Sequence, residues 1–182
     1  MCILARNLCC CANTQASAGV YNGVFPSVYV VQWNRSYQDP GYNSYNVCLP
    51  YPVPGYPHGN PTQNEYFKCH AGDLSFNFGN VARVGFPERD ENDTPFAQLT
   101  VDYWSAFARS GGDPNPDMGY LISRGYWNTI NQIGVSGQWD PVDAETPQSP
   151  RLLQMMWNSY MTDFVQVEQC ALVSQPLDYF ID

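Results

Sequence analysis

The chain has 182 residues, enough for one domain with its own core, and its eight basic and seventeen acidic residues give a net charge of −9. Such an acidic chain repels phosphate backbones, so we expect no nucleic-acid partner. No apolar run reaches the roughly 18 to 20 residues of a membrane span, and the residues after Met1 lack the pattern of a signal peptide.

The first expected element is a strand at residues 28–33. Its sequence, Val-Tyr-Val-Val-Gln-Trp, is rich in β-branched and aromatic residues on both alternating faces. This pattern is typical of a strand that is covered on both faces in a parallel sheet, rather than of an exposed edge strand. The strand therefore needs neighbouring strands.

Residues 34–65 are rich in Pro, Gly, Tyr and Asn, and we expect a long surface loop there. Glycosylation sequons begin at Asn34 and, further on, at Asn92. Cys48 and Cys69 flank the Pro-rich part of the loop and are a candidate disulfide pair, whose closure of about twenty residues would constrain the unfolded chain by about 3 kcal/mol. Because the chain has seven cysteines, at least one has no partner within it.

A helix is predicted to begin at Asp93-Thr94-Pro95, where a capping residue precedes a first-turn proline, and to end near Gly111. We expect its apolar face to lie on a sheet. The residues of this face follow at helical spacing and are Phe96, Leu99, Tyr103 and Phe107. The later sequence predicts a short helix at 127–133, an apolar run at 152–157 and an amphipathic segment at 162–172.

A histidine motif lies between the long loop and this helix. His70 is followed by two small residues, an acid and an aromatic alternation that ends in Phe78-Gly79. This segment resembles the stretch around the catalytic histidine of the type-B carboxylesterase/lipase (cholinesterase-like) family, most closely its fungal secreted branch. Other segments also resemble the family and occur in the same order: Trp33-Asn-Arg-Ser-Tyr-Gln38, Phe86-Pro-Glu-Arg-Asp-Glu91, Asp102-Tyr-Trp104, Phe107-Ala-Arg109, Asp113-Pro-Asn-Pro116 and Gly137-Gln-Trp139.

The resemblance covers about residues 28–179 and implies an α/β fold, namely the C-terminal part of an α/β-hydrolase with a mostly parallel central sheet flanked by helices. Residues 28–182 would be the C-terminal part of a carboxylesterase type-B domain, and residues 1–27 a divergent N-terminal segment. The family is secreted, and its hydrolases need no cofactor, so we expect none.

The resemblance further implies hydrolysis of a small-molecule or lipid ester by a Ser-Glu/Asp-His triad, with His70 as the matching general base. An imidazole titrates near pH 6.5 when unperturbed, so it can accept and return a proton at neutral pH. Asp73 follows too closely to be the triad acid, and we expect it to cap the next turn. His58 lies in a turn sequence and is the fallback candidate.

The chain contains no G-x-S-x-G nucleophile elbow. Gly134-Val-Ser-Gly137 comes nearest, but it follows the histidine, whereas the hydrolase order is serine, acid, histidine; Ser136 is expected to be structural. We therefore expect this chain to be inactive alone, with the nucleophile and acid encoded upstream. The sequence does not indicate which acyl and alcohol groups the substrate contains, and it does not indicate the oligomeric state.

Two other functions compete with ester hydrolysis. One is a catalytically inactive binding or adhesion module of the cholinesterase-like kind. The other is a Cys/His metal or disulfide domain that uses Cys48, His58, Cys69 and His70, since thiolates and imidazoles bind zinc. The chain lacks a paired C-x₂₋₄-C around this set, and the adjacent Cys69 and His70 could hardly share one tetrahedral ion without strain, so no metal is expected.

Overall fold

The computed structural model describes residues 18–37, 71–81, 88, 90–143 and 151–164. The described part of the chain contains both helices and strands, which confirms the predicted α/β class. The elements in chain order are β1 (Val31–Trp33), α1 (Leu74–Asn77), α2 (Asp93–Ser110), α3 (Met118–Arg124), α4 (Trp127–Ser136), β2 (Arg151–Met155) and β3 (Tyr160–Asp163).

The three strands form one sheet in the order β1-β2-β3. The backbone N–H of Leu153 donates to the Val30 carbonyl, and that of Asn34 donates to the Met155 carbonyl, both at 2.9 Å. Because the paired residue numbers rise together, β1 and β2 run parallel. The connection from β2 to β3 is too short for a parallel crossover, so this pair is antiparallel and the sheet is mixed. β1, which lies within the predicted strand, is therefore paired in parallel with β2. It lies at one end of the described sheet rather than between two strands.

The chain divides into two compact units. One comprises Met1–Val31, Trp139–Leu153 and Met161–Asp182, and the other comprises Gln32–Gln138 and Gln154–Tyr160. In the first unit, the buried indole of Trp139 donates to the Val30 carbonyl at 3.2 Å and packs edge-on against Tyr29 at 5.9 Å. Helices α1 to α4 belong to the second unit, and so do residues 71–81, which follow His70.

Helix α2 has the predicted bounds, because its end signals are local. It begins at Asp93 and ends at Ser110, with Gly111 in the left-handed conformation at φ 80°. That conformation favours glycine, which has no Cβ to clash with the preceding turn. The capping position is Asn92, directly before the predicted start, and the Asp93 side chain contacts a buried arginine.

The apolar face of α2 packs differently from the prediction. Phe96, Leu99 and Tyr103 are buried, but Phe107 is 45% exposed, so its predicted burial is wrong. The face lies mainly against helices α1 and α4 rather than on a sheet. In its first turn, Phe96 packs edge-on against Trp33 of β1 at 6.0 Å. Phe107 lies in the last turn of α2, beyond the part that is covered by its neighbours.

Helix α3 was not predicted, although its end signals are present in the sequence. The Asp117 carboxylate accepts a hydrogen bond of 2.7 Å from the backbone N–H of Tyr120, and Gly125 ends the helix at φ 69°. Helix α4 begins at the predicted residue, Trp127, and continues to Ser136, three residues past the predicted end.

Candidate functional site

His70, the predicted catalytic base, lies outside the described residues, as do Cys48, His58 and Cys69. The predicted catalytic, disulfide and metal roles of these four residues therefore stay predictions. The structure does describe residues 71–81, which directly follow His70, together with side chains that hold them in position.

The turn that directly follows His70 has an unusual backbone conformation. Ala71 lies in the left-handed region at φ 64°, which costs an L-residue with a Cβ roughly 1–2 kcal/mol. The next carbonyl, that of Gly72, accepts a hydrogen bond of 2.7 Å from the backbone N–H of Tyr37. A strained residue persists only where its surroundings fix it, and such residues cluster at functional sites. The turn after His70 is thus held by the segment that follows β1.

Asp73 lies at the N-cap position of α1, as predicted, but its carboxylate makes no capping bond with the backbone. It accepts a hydrogen bond of 2.7 Å from the Asn77 side-chain amide. The Asn77 amide oxygen in turn accepts one of 2.6 Å from the indole N–H of Trp104 on α2. This chain of hydrogen bonds orients the Asp73 carboxylate through a residue of the long helix.

A buried ion cluster joins the segment after β1 to the start of α2. The Arg35 side chain is 7% exposed, and its Nε donates to Asp93 Oδ1 at 3.1 Å. Its Nη2 also contacts Asp93 Oδ1 and Asp90 Oδ1. Asp93 is fully buried, whereas Asp90 is 27% exposed. The arginine therefore neutralises a carboxylate that water does not reach, which a buried charge requires.

Two aromatic rings complete the surroundings of Arg35. Its guanidinium carbon lies 6.0 Å from the ring centroid of Phe76 on α1 and 5.8 Å from that of Phe96 on α2. These rings pack edge-on against each other at 4.8 Å, and Tyr37 packs edge-on against Phe76 at 6.3 Å. Arg35 therefore contacts α1, which lies within the histidine motif, and α2, which follows it. It also precedes Tyr37 by two residues.

A second buried carboxylate lies further along α2, at its contact with α4. Asp102 accepts hydrogen bonds from the Thr129 hydroxyl at 2.6 Å and from the Gln98 side-chain amide at 2.8 Å. Burial raises the pKa of Asp102 above its usual range, and these hydrogen bonds and the positive charge of Arg109 lower it only in part. Since Thr129 is buried on α4, this carboxylate links two helices.

Ser136, the residue nearest to a nucleophile motif in the sequence, lies at the end of α4. Its hydroxyl donates to the Gly137 carbonyl at 3.0 Å. Burial raises the pKa of the Tyr103 phenol, and a side-chain hydrogen bond with Ser136 lowers it in part. Ser136 thus lies near a core tyrosine of α2.

An open cavity of about 260 Å³ lies between the end of α1 and the first half of α2. The side chains of Gln98 and Thr94 are the polar ones among its lining residues. Gln98 also donates to the Asp102 carboxylate, so its amide joins the cavity wall to the buried acid. The remaining lining residues are Phe78, Gly79, Val81, Ala97 and Val101.

The two sequon asparagines have different surroundings. The Asn34 side-chain amide donates to the Met156 sulfur at 3.4 Å, and Ser36, the third residue of that sequon, is buried. Asn92 precedes α2 and makes no capping hydrogen bond through its side chain, and the sequon residue Thr94 is exposed.

No protein-family model matches this sequence, and no curated protein matches it either. The carboxylesterase resemblance therefore depends on the motifs alone. Among the described residues, no helix is long and apolar enough to cross a membrane, and no three histidine, cysteine or acidic residues are grouped so that they could bind a metal ion.

The sequence alone did not identify the residues that hold the flank of the candidate site. Arg35 lies in a segment that resembles the family, and Asp93 lies at the predicted start of a helix, but neither position by itself indicates their pairing. One signal was available: Arg35 closely follows an apolar strand, and a charged residue there needs a buried partner. Ala71 gave no signal, because alanine has no preference for the left-handed region.

Proposed function

We propose that this chain is the C-terminal part of a carboxylic-ester hydrolase with the α/β-hydrolase fold, related to the type-B carboxylesterases, in which His70 is the general base. The observation that carries the proposal is the turn after His70. A strained alanine and a hydrogen-bonded glycine carbonyl follow the very residue that the motif identifies as catalytic. Strain of this kind is retained where the position of a neighbouring group matters.

The order of elements is consistent with this function. In the chain, the strand β1 of a parallel pair comes first, a segment predicted to be a loop and His70 follow it, and the long amphipathic helix α2 comes after them. In α/β folds with parallel strands, site residues lie beyond the carboxyl ends of the strands. His70 directly precedes the turn whose Gly72 carbonyl accepts a hydrogen bond from Tyr37. Tyr37 itself lies shortly after the carboxyl end of β1.

In the proposed mechanism, the His70 imidazole accepts the proton of a serine hydroxyl as that oxygen attacks the ester carbonyl. It then gives the proton to the leaving alcohol, and the acyl group stays on the serine oxygen. In the second half of the reaction, His70 accepts a proton from the water that attacks this acyl group and returns it to the serine oxygen as the acid leaves. The serine and the orienting acid belong to a part of the protein outside these 182 residues, because no G-x-S-x-G elbow occurs in this sequence. A triad without its nucleophile loses on the order of 10⁶-fold in rate, so this chain alone should not hydrolyse esters.

The test requires the product of the native transcript, including any sequence upstream of Met1. We expect it to contain a G-x-S-x-G elbow, to hydrolyse p-nitrophenyl acetate and to be labelled on that serine by a fluorophosphonate. His70→Ala should abolish hydrolysis, and His58→Ala is the matched control because it removes the other histidine of this chain. Full activity in the His70→Ala variant would refute the proposed role of His70.

The second candidate function is a binding module that has the hydrolase scaffold without its catalysis. The absence of a nucleophile elbow from the whole sequence favours it. It predicts that the native transcript encodes no serine elbow and that its folded, stable product is not labelled by the fluorophosphonate. A labelled serine would exclude it.

A further inference from the structure

We propose that the open cavity between α1 and α2 binds a small protonated amine, in which an ammonium group is attached to an aromatic or aliphatic body. The cavity has a volume of about 260 Å³. Sites for drug-sized ligands have volumes of roughly 300–1,000 Å³, so this cavity fits a smaller molecule. This binding site is independent of the proposed ester hydrolysis.

Apolar side chains from both sides line part of the cavity. Phe78 directly follows α1 and is 75% exposed. Ala97 and Val101 face the cavity from α2, one helical turn apart. Gly79 lets the end of α1 lie close to α2, because a Cβ at this position would be only 3.0 Å from Val101 Cγ2. A ligand body that covers the Phe78 ring removes it from water, which is favourable in proportion to the buried area.

The Gln98 side chain presents an oxygen atom to the cavity. Its Nε2 donates to Asp102 Oδ1 at 2.8 Å, and the Thr129 hydroxyl donates to the other carboxylate oxygen at 2.6 Å. Because a carboxylate only accepts hydrogen bonds, the Gln98 amide directs its nitrogen towards Asp102 and its Oε1 away from it. Within the described part of the chain, no residue donates to this Oε1. It is therefore available to accept a hydrogen bond from a ligand.

Thr94 supplies a second acceptor and lies next to a negative charge. Its hydroxyl donates to the exposed Glu88 carboxylate, so the Thr94 oxygen keeps lone pairs for another donor. None of the described residues that line the cavity carries a positive charge, and the chain has a net charge of −9. Acceptors beside a negative charge favour a cation that carries N–H groups.

An anion is the main alternative ligand. The cavity lies beside the first turns of α2, and the partial positive charge at a helix N-terminus favours anions. An anion also needs hydrogen-bond donors, however. The Gln98 nitrogen already donates to Asp102, and the Thr94 hydroxyl already donates to Glu88. The polar side chains of the cavity therefore suit an ammonium group better than a carboxylate.

The test is an NMR titration of the folded chain at neutral pH with three probes that share one ring: benzylamine, benzyl alcohol and benzoate. Of these, only benzylamine carries an ammonium group. We expect it to bind with a Kd on the order of 1 mM, since a ligand with few atoms binds weakly. It should shift the signals of the Gln98 side-chain amide and of the Ala97 and Val101 methyl groups.

Benzyl alcohol should bind about fivefold more weakly or less, because charge-assisted hydrogen bonds are stronger than neutral ones. Benzoate should cause no shifts. Binding of the alcohol or of benzoate as tightly as benzylamine would overturn the proposal. So would the absence of shifts at these three residues with about 10 mM benzylamine, roughly ten times the expected Kd.

Val101→Phe should block the cavity without removing an acceptor, and we expect the affinity for benzylamine to fall about tenfold or more because two groups cannot share the same space. Val135→Phe is the matched control, since Val135 is 69% exposed on α4 and does not line the cavity. If Val101→Phe does not fold, Phe78→Ala replaces an exposed ring and should weaken binding about threefold or more. Wild-type affinity in the folded variant would overturn the proposal.

Gln98→Met tests the acceptor. Methionine has a similar length but no amide oxygen, so the affinity for benzylamine should fall about fivefold or more. Gln132→Met is the matched control, because Gln132 lies on α4 and does not line the cavity. A folded Gln98→Met variant that binds benzylamine as tightly as the wild type would contradict recognition of the ammonium group by Gln98 and overturn the proposal.

Discussion

The backbone N–H of Tyr37 donates a hydrogen bond of 2.7 Å to the carbonyl oxygen of Gly72. This bond joins the segment after β1 to the turn after His70, two parts of the chain that are distant in sequence. The turn contains the strained Ala71, so a contact made elsewhere stabilises a local conformation that alanine does not favour. Substitutions that relieve the strain and substitutions that remove the contact should therefore have opposite effects on stability.

Ala71→Gly should stabilise the protein slightly. Glycine adopts a φ of 64° without strain, which relieves roughly 1–2 kcal/mol, but it also adds entropy to the unfolded chain worth about 0.5–1 kcal/mol. We expect the free energy of unfolding to rise by about 0.5 kcal/mol in urea denaturation. Ala106→Gly is the control, because Ala106 is buried inside helix α2 and its replacement should cost about 1 kcal/mol or more. Equal losses for both variants would contradict strain at Ala71.

Replacing Arg35 by methionine should destabilise the protein strongly. Asp93 is fully buried, and removal of the cation that faces it leaves its charge poorly compensated. We expect a loss of about 3–5 kcal/mol in the free energy of unfolding. The control is Arg151→Met, which breaks the half-exposed ion pair with Asp140 at 3.0 Å and should cost less than about 1 kcal/mol.

A double substitution tests whether the Arg35 effect is electrostatic. Arg35→Met with Asp93→Leu removes both charges and leaves an apolar cluster around Phe76 and Phe96. Its loss should be much smaller than the sum of the two single losses, because neither buried charge remains. Additive losses would indicate that packing, rather than the ion pair, dominates at this position.

Local signals explain why the bounds of helix α2 could be predicted. Pro95 in the first turn and Gly111 after the last act on the backbone of their own residues, so sequence alone carries them. Asp117 and Gly125 give the same kind of local signal for the short helix α3. Which neighbour covers a helical face is not a local property. The burial of Phe107 was therefore predicted wrongly from its spacing alone.

Some features of the candidate site could likewise be predicted from local sequence, and others could not. The histidine motif and the capping position of Asp73 are features of adjacent residues, and the sequence indicated both. The Arg35–Asp93 pair joins residues far apart in the chain, and no pattern in either segment specifies the other. The left-handed Ala71 depends on a hydrogen bond from a third segment. These features result from tertiary contacts, which a single sequence does not determine.

The two sequons should differ when the chain is expressed through a secretory pathway. The Asn34 amide is bonded to Met156, and the Ser36 side chain is buried, so a glycan on Asn34 would prevent the native packing. We expect folded, secreted molecules to carry a glycan on Asn92 and none on Asn34, as determined by glycopeptide mapping. Asn92→Gln should remove the glycan from the secreted protein. A folded molecule with an occupied Asn34 would contradict the described packing.

Asp102 should make stability depend on pH in a direction opposite to that of a salt-bridged carboxylate. Burial raises its pKa in the folded state above the usual value, so between the unfolded and folded pKa values the folded protein binds more protons than the unfolded chain. The stabilising contribution of the protonated acid is thus fully present below the unfolded pKa. It is lost as pH rises through the folded pKa.

Asp102→Asn should remove this contribution to the pH dependence. Asparagine keeps the size of the side chain and an oxygen that accepts from Thr129, while Gln98 can reverse its amide to accept from the new N–H₂ group. We expect the variant to be at least as stable as the wild type at neutral pH, because no buried charge at this position must be desolvated.

Urea denaturation at a series of pH values between about 4 and 8 measures the difference in slope. Asp163→Asn, at an exposed position on β3, is the control and should follow the wild-type curve. A variant that is destabilised equally at every pH would mean that the carboxylate acts only through its hydrogen bonds to Thr129 and Gln98.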